Sequence, residues 1–357
     1  MANVAKDIVV PKEPHIFRTV FLYVGQGECT LMVIPEGDKY KYILIDSHQD
    51  DSMGGIDLIK FLKDLFKDEG IGLDIYINTH PHKDHLGFVK KIYTEIGIKQ
   101  VWHSGHKPGK DHKDAYNELE YVMKEVGKEN VFRLKGSTEE NKIDDKTVQL
   151  GDIRYNILAP AEYVSDDIAE EKPDERYRRI HEQCGVIRFK YGKKERQILV
   201  TGDADRDAWE KHITDYHKDR LPSAVLSAAH HGSNSFFWKG DPKEEAYEKH
   251  LDTIKSTYIV VSAPKSNESQ HGHPEKEAMN KYKAKVGEDN LKHLGKNREC
   301  IIVDIKDDGE ENIELYPDEE LIKEYGMENN EEKNKENSNK NVSPAVVTRI
   351  DRKPMGR

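Results

Sequence analysis

Residues 73–87, LDIYINTHPHKDHLG, run from a short apolar, β-branched stretch into a loop carrying three imidazoles and a carboxylate. Leu73 to Asn78 has the composition of a buried strand, so the loop begins at a strand end. In extended backbone, residues two apart point the same way, and His80 and His82 can offer their rings to one cation. A helix starting near Leu86 would place Asp84 and His85 in its first turn, facing elsewhere, where they could hold a second cation. Imidazoles with a carboxylate suit a borderline transition metal, with zinc first and manganese or iron as alternatives, better than calcium.

Around this stretch the chain alternates strands and helices. Phe17 to Val24, Cys29 to Ile34 and Tyr40 to Ile45 predict a meander punctuated by Gly25-Gln26-Gly27 and by Pro35 to Asp38. Apolar residues at Leu58, Ile59, Leu62, Leu65 and Phe66 predict a helix. Leu86 to Ile96, Ala115 to Val126 and Lys276 to Lys285 read as further helices. Strands are predicted at Ile153 to Ile157, Val186 to Tyr191, Gln197 to Thr201, Ala224 to Ala229, from Tyr258, and at Cys300 to Ile305. Glu162 to Arg179 is dense in charge and reads as a solvated loop.

Three more strand-end or loop motifs carry polar groups. Asp203, in Thr201-Gly202-Asp203, is placed to bridge two metals, although a lone Asp at a strand end is equally a turn former. In Ala229-His230-His231-Gly232-Ser233 the adjacent rings point apart, so one can enter a metal sphere while the other faces substrate. His271-Gly272-His273-Pro274 precedes a helix, and its histidines could face a substrate or simply solvent. Lys83, Lys90, Lys91, Lys107 and Lys110, with His103, His106 and His112, could form a positive rim, or be ordinary solvated side chains.

The chain has 357 residues, 56 basic against 67 acidic, for a net charge of −11, which argues against coating nucleic acid by bulk charge. No stretch approaches the length of a membrane-spanning helix, and no secretory signal opens the chain. Cys29, Cys184 and Cys300 form no close pair, so a reducing, cytoplasmic setting with no membrane partner is expected. Residues 1–15 read as a lead, 16–325 as the folded domain with an insertion or cap-like segment at 107–180, and 326–343 as a disordered polar linker. The basic tail, residues 344–357, reads as a frayed end or as a candidate docking peptide for a protein partner.

HPHKDH resembles the HxHxDH signature of the metallo-β-lactamase superfamily. Within it, YVGQGE (Tyr23 to Glu28), LID (Leu44 to Asp46), TGD, HHGSNS (His230 to Ser235) and GHP (Gly272 to Pro274) resemble the ComEC-type competence hydrolase domain, here free-standing. The resemblance implies an α/β fold, an αβ/βα four-layer sandwich of two mixed β-sheets flanked by helices, with two divalent metals at one sheet edge. It implies His80 and His82 on the first metal, Asp84 and His85 on the second, Asp203 bridging and His230 completing the second site. His181 is the candidate third ligand of the first metal, or a substrate contact. His231, Ser233, Asn234 and His273 would line the substrate pocket, with Asp84, His231 and His273 acting in catalysis. Asp46 would hydrogen-bond a ligand His or its loop, and His48 is a substrate contact or a loop residue. Two cations would lower the pKa of a shared water from 15.7 toward ~7, giving a bridging hydroxide.

The expected activity is hydrolysis of phosphodiesters by a nuclease or phosphodiesterase, in a subunit of a bacterial defence complex. The alternatives are a hydrolase of small esters such as a lactone or phosphorylcholine ester, and a non-catalytic adaptor that retains the fold.

Overall fold

The computed structural model describes residues 3–67, 72–167, 179–240, 242–308 and 313–327. The meander forms as β1 (Ile16–Phe21), β2 (Thr30–Glu36) and β3 (Lys39–Ile45), followed by β4 (Leu73–Asn78), β5 (Ile98–His103) and β6 (Val131–Arg133). A small hairpin, β7 (Lys142–Ile143) and β8 (Lys146–Thr147), leads to β9 (Arg154–Ala159), β10 (Val186–Tyr191), β11 (Arg196–Val200), β12 (Val225–Ser227), β13 (Tyr258–Val261) and β14 (Leu291–His293). The chain closes with β15 (Cys300–Lys306) and β16 (Ile313–Asp318).

These strands make two mixed sheets, ordered β16-β15-β1-β2-β3-β4-β5-β6 and β14-β13-β12-β11-β10-β9. Each has an antiparallel part and a parallel part: the change comes at β3 in the larger sheet and at β11 in the smaller. The sandwich follows from the two-residue period of the strands. In the smaller sheet Ile187, Phe189, Ile198, Val200 and Val225 join a core shared with the larger sheet. Their neighbours Val186, Leu199, Leu226 and Ile259 pack on the opposite face with Trp209, Leu251 and Tyr282 from the covering helices. The result is α/β, two mixed sheets flanked by helices.

Several sequence expectations need correction. The predicted helix from Leu86 to Ile96 is two pieces, Lys83–Leu86 and Val89–Glu95, because Phe88 adopts a left-handed backbone (φ 65°) and Ser47 Oγ donates to Gly87 O. Glu162–Asp167 is helical with Val164 buried, so the charged stretch opens as a helix; 168–178 lies outside the described residues. The segment 107–180 is no separate cap, since it supplies β6 to one sheet and β9 to the other. Within the lead, Val4–Val9 is a helix that buries Ala5 and Val9, and Ala5 N–H donates to Tyr325 Oη. The basic tail lies outside the described residues. Among the described residues no helix is long and apolar enough to cross a membrane.

Candidate metal centre

The site forms where the parallel strands end, the position in open α/β sheets where loops converge and backbone groups are free to be used. β3 delivers Asp46, β4 the His80–His85 loop, β11 Asp203, and β12 His230 and His231. Asn78 closes the first loop by donating to His80 O (2.8 Å) and His85 O (3.2 Å). Asp46, fully buried and left-handed (φ 55°), accepts from Thr79 N–H (2.8 Å) and Thr79 Oγ1 (2.6 Å), and lies 2.8 Å from His85 Nδ1. It therefore holds both the loop and one of its imidazoles. Gly202 is also left-handed (φ 46°), and a Cβ there would lie 2.7 Å from Cys184 Sγ and Thr79 Oγ1. Only glycine lets the Asp203 turn approach the His80 loop this closely.

Around Asp203 two groups of ligating atoms assemble. One contains His80, His82, His181 and Asp203; the other brings together Asp84, His85 and His231, with Glu28 also near His85 and Asp203. Asp203 Oδ2 lies 3.5 Å from His80 Nε2 and 3.8 Å from His181 Nε2, while Oδ1 lies 3.1 Å from His85 Nε2 and 3.7 Å from His231 Nε2. His181 Nε2 faces His82 Nδ1 at 3.4 Å. His231 Nε2 is 3.4 Å from Asp84 Oδ2.

The hydrogen-bond chemistry of the second group fits a cation. His85 Nδ1 faces the Asp46 carboxylate and His231 Nδ1 faces Ser262 O at 2.8 Å. Both partners are acceptors, so both Nδ1 atoms carry the proton and, in neutral rings, both Nε2 atoms present lone pairs. Those lone pairs meet at 3.1 Å and cannot hydrogen-bond to one another. A shared cation resolves the clash, and the outer acceptors fix the tautomers as metal-bound histidines require. His80 Nε2 and Asp203 Oδ1 are likewise buried with no hydrogen-bond partner among the described residues. Thr79 Oγ1, whose proton goes to Asp46, is left to accept from His80 Nδ1 (3.3 Å), aiming the His80 Nε2 lone pair inward.

Electrostatics follows the same geometry. Burial, with His85 and His82 adding to it, holds His80 well below the usual histidine range, and burial then His181 bring His82 down to about 3. Burial opposes ionisation of Asp203, but the imidazoles of His85, His230, His231 and His80 outweigh it and hold the carboxyl well below the usual range. His80 and His82 are thus neutral and the shared carboxylate charged; burial is outweighed at the other two rings, where Asp203 and Asp46 hold His85 well above the usual histidine range and Asp203 and Asp84 raise His231 to about 9, protons that a bound cation would replace.

Two assignments drawn from the sequence differ from this geometry, although His230 Nε2 still lies 3.5 Å from Asp203 Oδ2. His231, not His230, joins Asp84 and His85. His230 instead lies beside the first group, its ring centroid 4.4 Å from His181 and 5.2 Å from His273, with Nδ1 2.8 Å from Ser235 Oγ. Both residues are left-handed (φ 50° and 54°), a turn that sends consecutive rings to different sides. Ser233 and Asn234 do not line the cavity. Ser233 Oγ donates to Glu275 Oε2 (3.0 Å), and Asn234 donates to Glu275 and accepts from Ala278 N–H, tying the loop to the helix Lys276–Val286.

Above the metal groups lies a cavity of about 470 Å³ lined by Gln26, His48, Asp50, Lys83, His112, Gln270, His271 and His273 together with His82, Asp84, His181, Asp203, His230 and His231. His48 and His273 are among the residues that line it. Of the basic rim, Lys83 and His112 do so, while Lys90 and Lys91 line an adjoining groove with Lys83 and His48. Glu28 escaped sequence reasoning. It is buried, accepts from Ser227 Oγ (2.7 Å) and is pushed by burial up to about 7, yet nothing local marks a turn glutamate for such a place.

No protein-family model and no curated protein matches the chain. Solved structures that align with it include Igni18, a metallo hydrolase from the hyperthermophilic archaeon Ignicoccus hospitalis (13% identity, 77% of this chain and 94% of that one, TM-score 0.43). Others are the E377D mutant of CmlA beta-hydroxylase (12% identity, 79% and 52%, TM-score 0.41) and a metallo-beta-lactamase from Hirschia baltica (12%, 68% and 82%, TM-score 0.32). The chain spans about half the length of the hydroxylase. Likenesses this distant carry no argument about activity, which rests on the chain's own residues.

Proposed function

We propose that the chain is a metal-dependent hydrolase of the metallo-β-lactamase superfamily, of the free-standing ComEC-like kind, that cleaves phosphodiester bonds as a nuclease or phosphodiesterase. The carrying observation is the cavity: among the described residues, not one of its lining side chains is apolar. Pockets for lactones, β-lactams and similar esters are mostly apolar with a few polar groups, whereas a phosphodiester presents charge and hydrogen-bond acceptors throughout. Three carboxylates, Asp50, Asp84 and Asp203, oppose one lysine, Lys83, in the wall. Two divalent cations would turn that balance positive and suit an anionic substrate.

His80, His82 and His181 would hold one cation and Asp84, His85 and His231 the other, with Asp203 shared; zinc fits this donor set first, manganese or iron next. When bound, the pair supplies Lewis acidity and an acidified water. Burial opposes charge on Asp84, but His231 and His85 keep its carboxyl well below the usual range. Ionised at neutral pH, its oxygen can accept a proton from the attacking water. His230, kept neutral by burial, and His273 face the place where substrate would lie.

The test is incubation with labelled single- and double-stranded DNA and RNA, and with bis-p-nitrophenyl phosphate and a lactone, in manganese or zinc. Phosphodiester cleavage that chelator abolishes and added metal restores is expected. Hydrolysis of the lactone alone would overturn the proposal.

A further inference from the structure

The Gly25-Gln26-Gly27 turn is held against the metal loops without supplying a ligand to either group. Both glycines are left-handed, with φ 81° and 151°. A Cβ on Gly25 would lie 2.7 Å from Asp50 Cβ, and one on Gly27 would lie 2.7 Å from His48 Cβ and 2.8 Å from Asp84 O. Ser262 Oγ donates to Gly27 O (3.0 Å) and Glu28 N–H donates to Asp84 O (3.2 Å), so the turn is fastened at both sides of Gln26. Its one side chain is aimed into the cavity.

The orientation of that side chain is fixed by its partner. Ser269 Oγ accepts from His271 N–H (3.2 Å) and His273 N–H (3.1 Å), which occupies both of its lone pairs. Its single proton must therefore be donated to Gln26, at 2.6 Å, and the Gln26 atom facing it is the carbonyl oxygen Oε1. Nε2, a double donor, is left on the other side. Gln26 is 7% exposed, and Nε2 has no hydrogen-bond partner among the described residues. A buried donor left unpaired is costly, and a ligand that pairs it gains the difference.

We propose that the Gln26 amide is a substrate-binding group, Nε2 donating to an anionic oxygen of the phosphoryl group held in this cavity. The assignment rests on the phosphodiester reading for the identity of the ligand, but its test does not require turnover. Ser269 is the positioning residue: it acts through Gln26 by fixing which end of the amide faces the ligand.

The experiment is calorimetric titration of inorganic phosphate into metal-loaded protein, with metal content measured alongside. Gln26→Met, similar in size but without a donor, weakens phosphate binding about tenfold or more, with metal content unchanged. Ser269→Ala frees the amide to turn over and gives a smaller loss of the same kind. Unaltered phosphate affinity in Gln26→Met, absence of phosphate binding by the wild-type protein, or loss of metal from the variant each overturns the assignment. Failure of the phosphodiester reading is separate: wild-type protein would bind phosphate in a Gln26-dependent way yet cleave no phosphodiester.

Discussion

The two ligand groups that share Asp203 are built to different standards. In the second, His85 is braced by Asp46 and His231 by the Ser262 carbonyl, and both rings are buried. The first draws His181 from the loop before β10, where its side chain is 21% exposed and its neighbour Glu182 holds the loop by accepting from Arg179, Lys211 and His212. A braced imidazole loses little freedom when it ligates, whereas a partly exposed one has ordering still to do. The second site is thus expected to hold its metal more tightly than the first.

Asp203→Ala should have the largest effect, because it removes the one carboxylate common to both groups. Metal analysis should show loss of both ions, with hydrolysis falling by more than the roughly 10–100-fold that outer supporting residues alone are worth. Retention of two metals would break the shared-carboxylate geometry. Single-histidine variants sharpen the contrast. His181→Ala should retain one ion and His231→Ala should lose the tighter one, while His230→Ala should keep two and lose activity. Two ions kept in His231→Ala with one lost in His230→Ala would restore the assignment made from the motif alone.

The smallest effect concerns the brace on the first site. The His212 hydrogen bond, opposed by burial and helped by Arg179 and Lys211, lowers the Glu182 carboxyl to about 2. A depressed carboxyl contributes stability that is present above its unfolded value of 4.5 and is lost as pH falls through about 2. Glu182→Gln should therefore cost ~1–2 kcal/mol at pH 7 after allowing for solvent screening. The gap from wild type should close as pH falls from 4.5 toward 2, read from urea midpoints. A gap independent of pH would show that Glu182 does not act through its charge.

Much of this was legible in the sequence because it is local. The alternation within β9 and the apolar composition of β4 mark those strands, and the histidine loop follows β4 directly, so its place at a strand end needs no tertiary information. His230 and His231 were not separable that way. Neighbours in a left-handed turn diverge, and which ring turns toward Asp84 depends on Ser262, which lies 31 residues on. Ser233 and Asn234 looked like pocket residues, yet their partner is Glu275, 41 residues from Asn234, and their polar groups are spent on it. The helix from Leu86 failed at Phe88 for a comparable reason, a contact from Ser47 that no helical periodicity records.

By itself the sequence determined the strand and helix alternation, the HPHKDH loop and the types of donor available, since period, turn chemistry and ligand chemistry are properties of a few consecutive residues. Only the tertiary structure decided which donors meet. It chose His231 over His230, brought Glu28 beside Asp203, and turned the Gln26 amide by way of Ser269. Each of those outcomes is set by hydrogen bonds and packing between segments far apart in the chain, where the direction of a side chain depends on partners that local pattern does not contain.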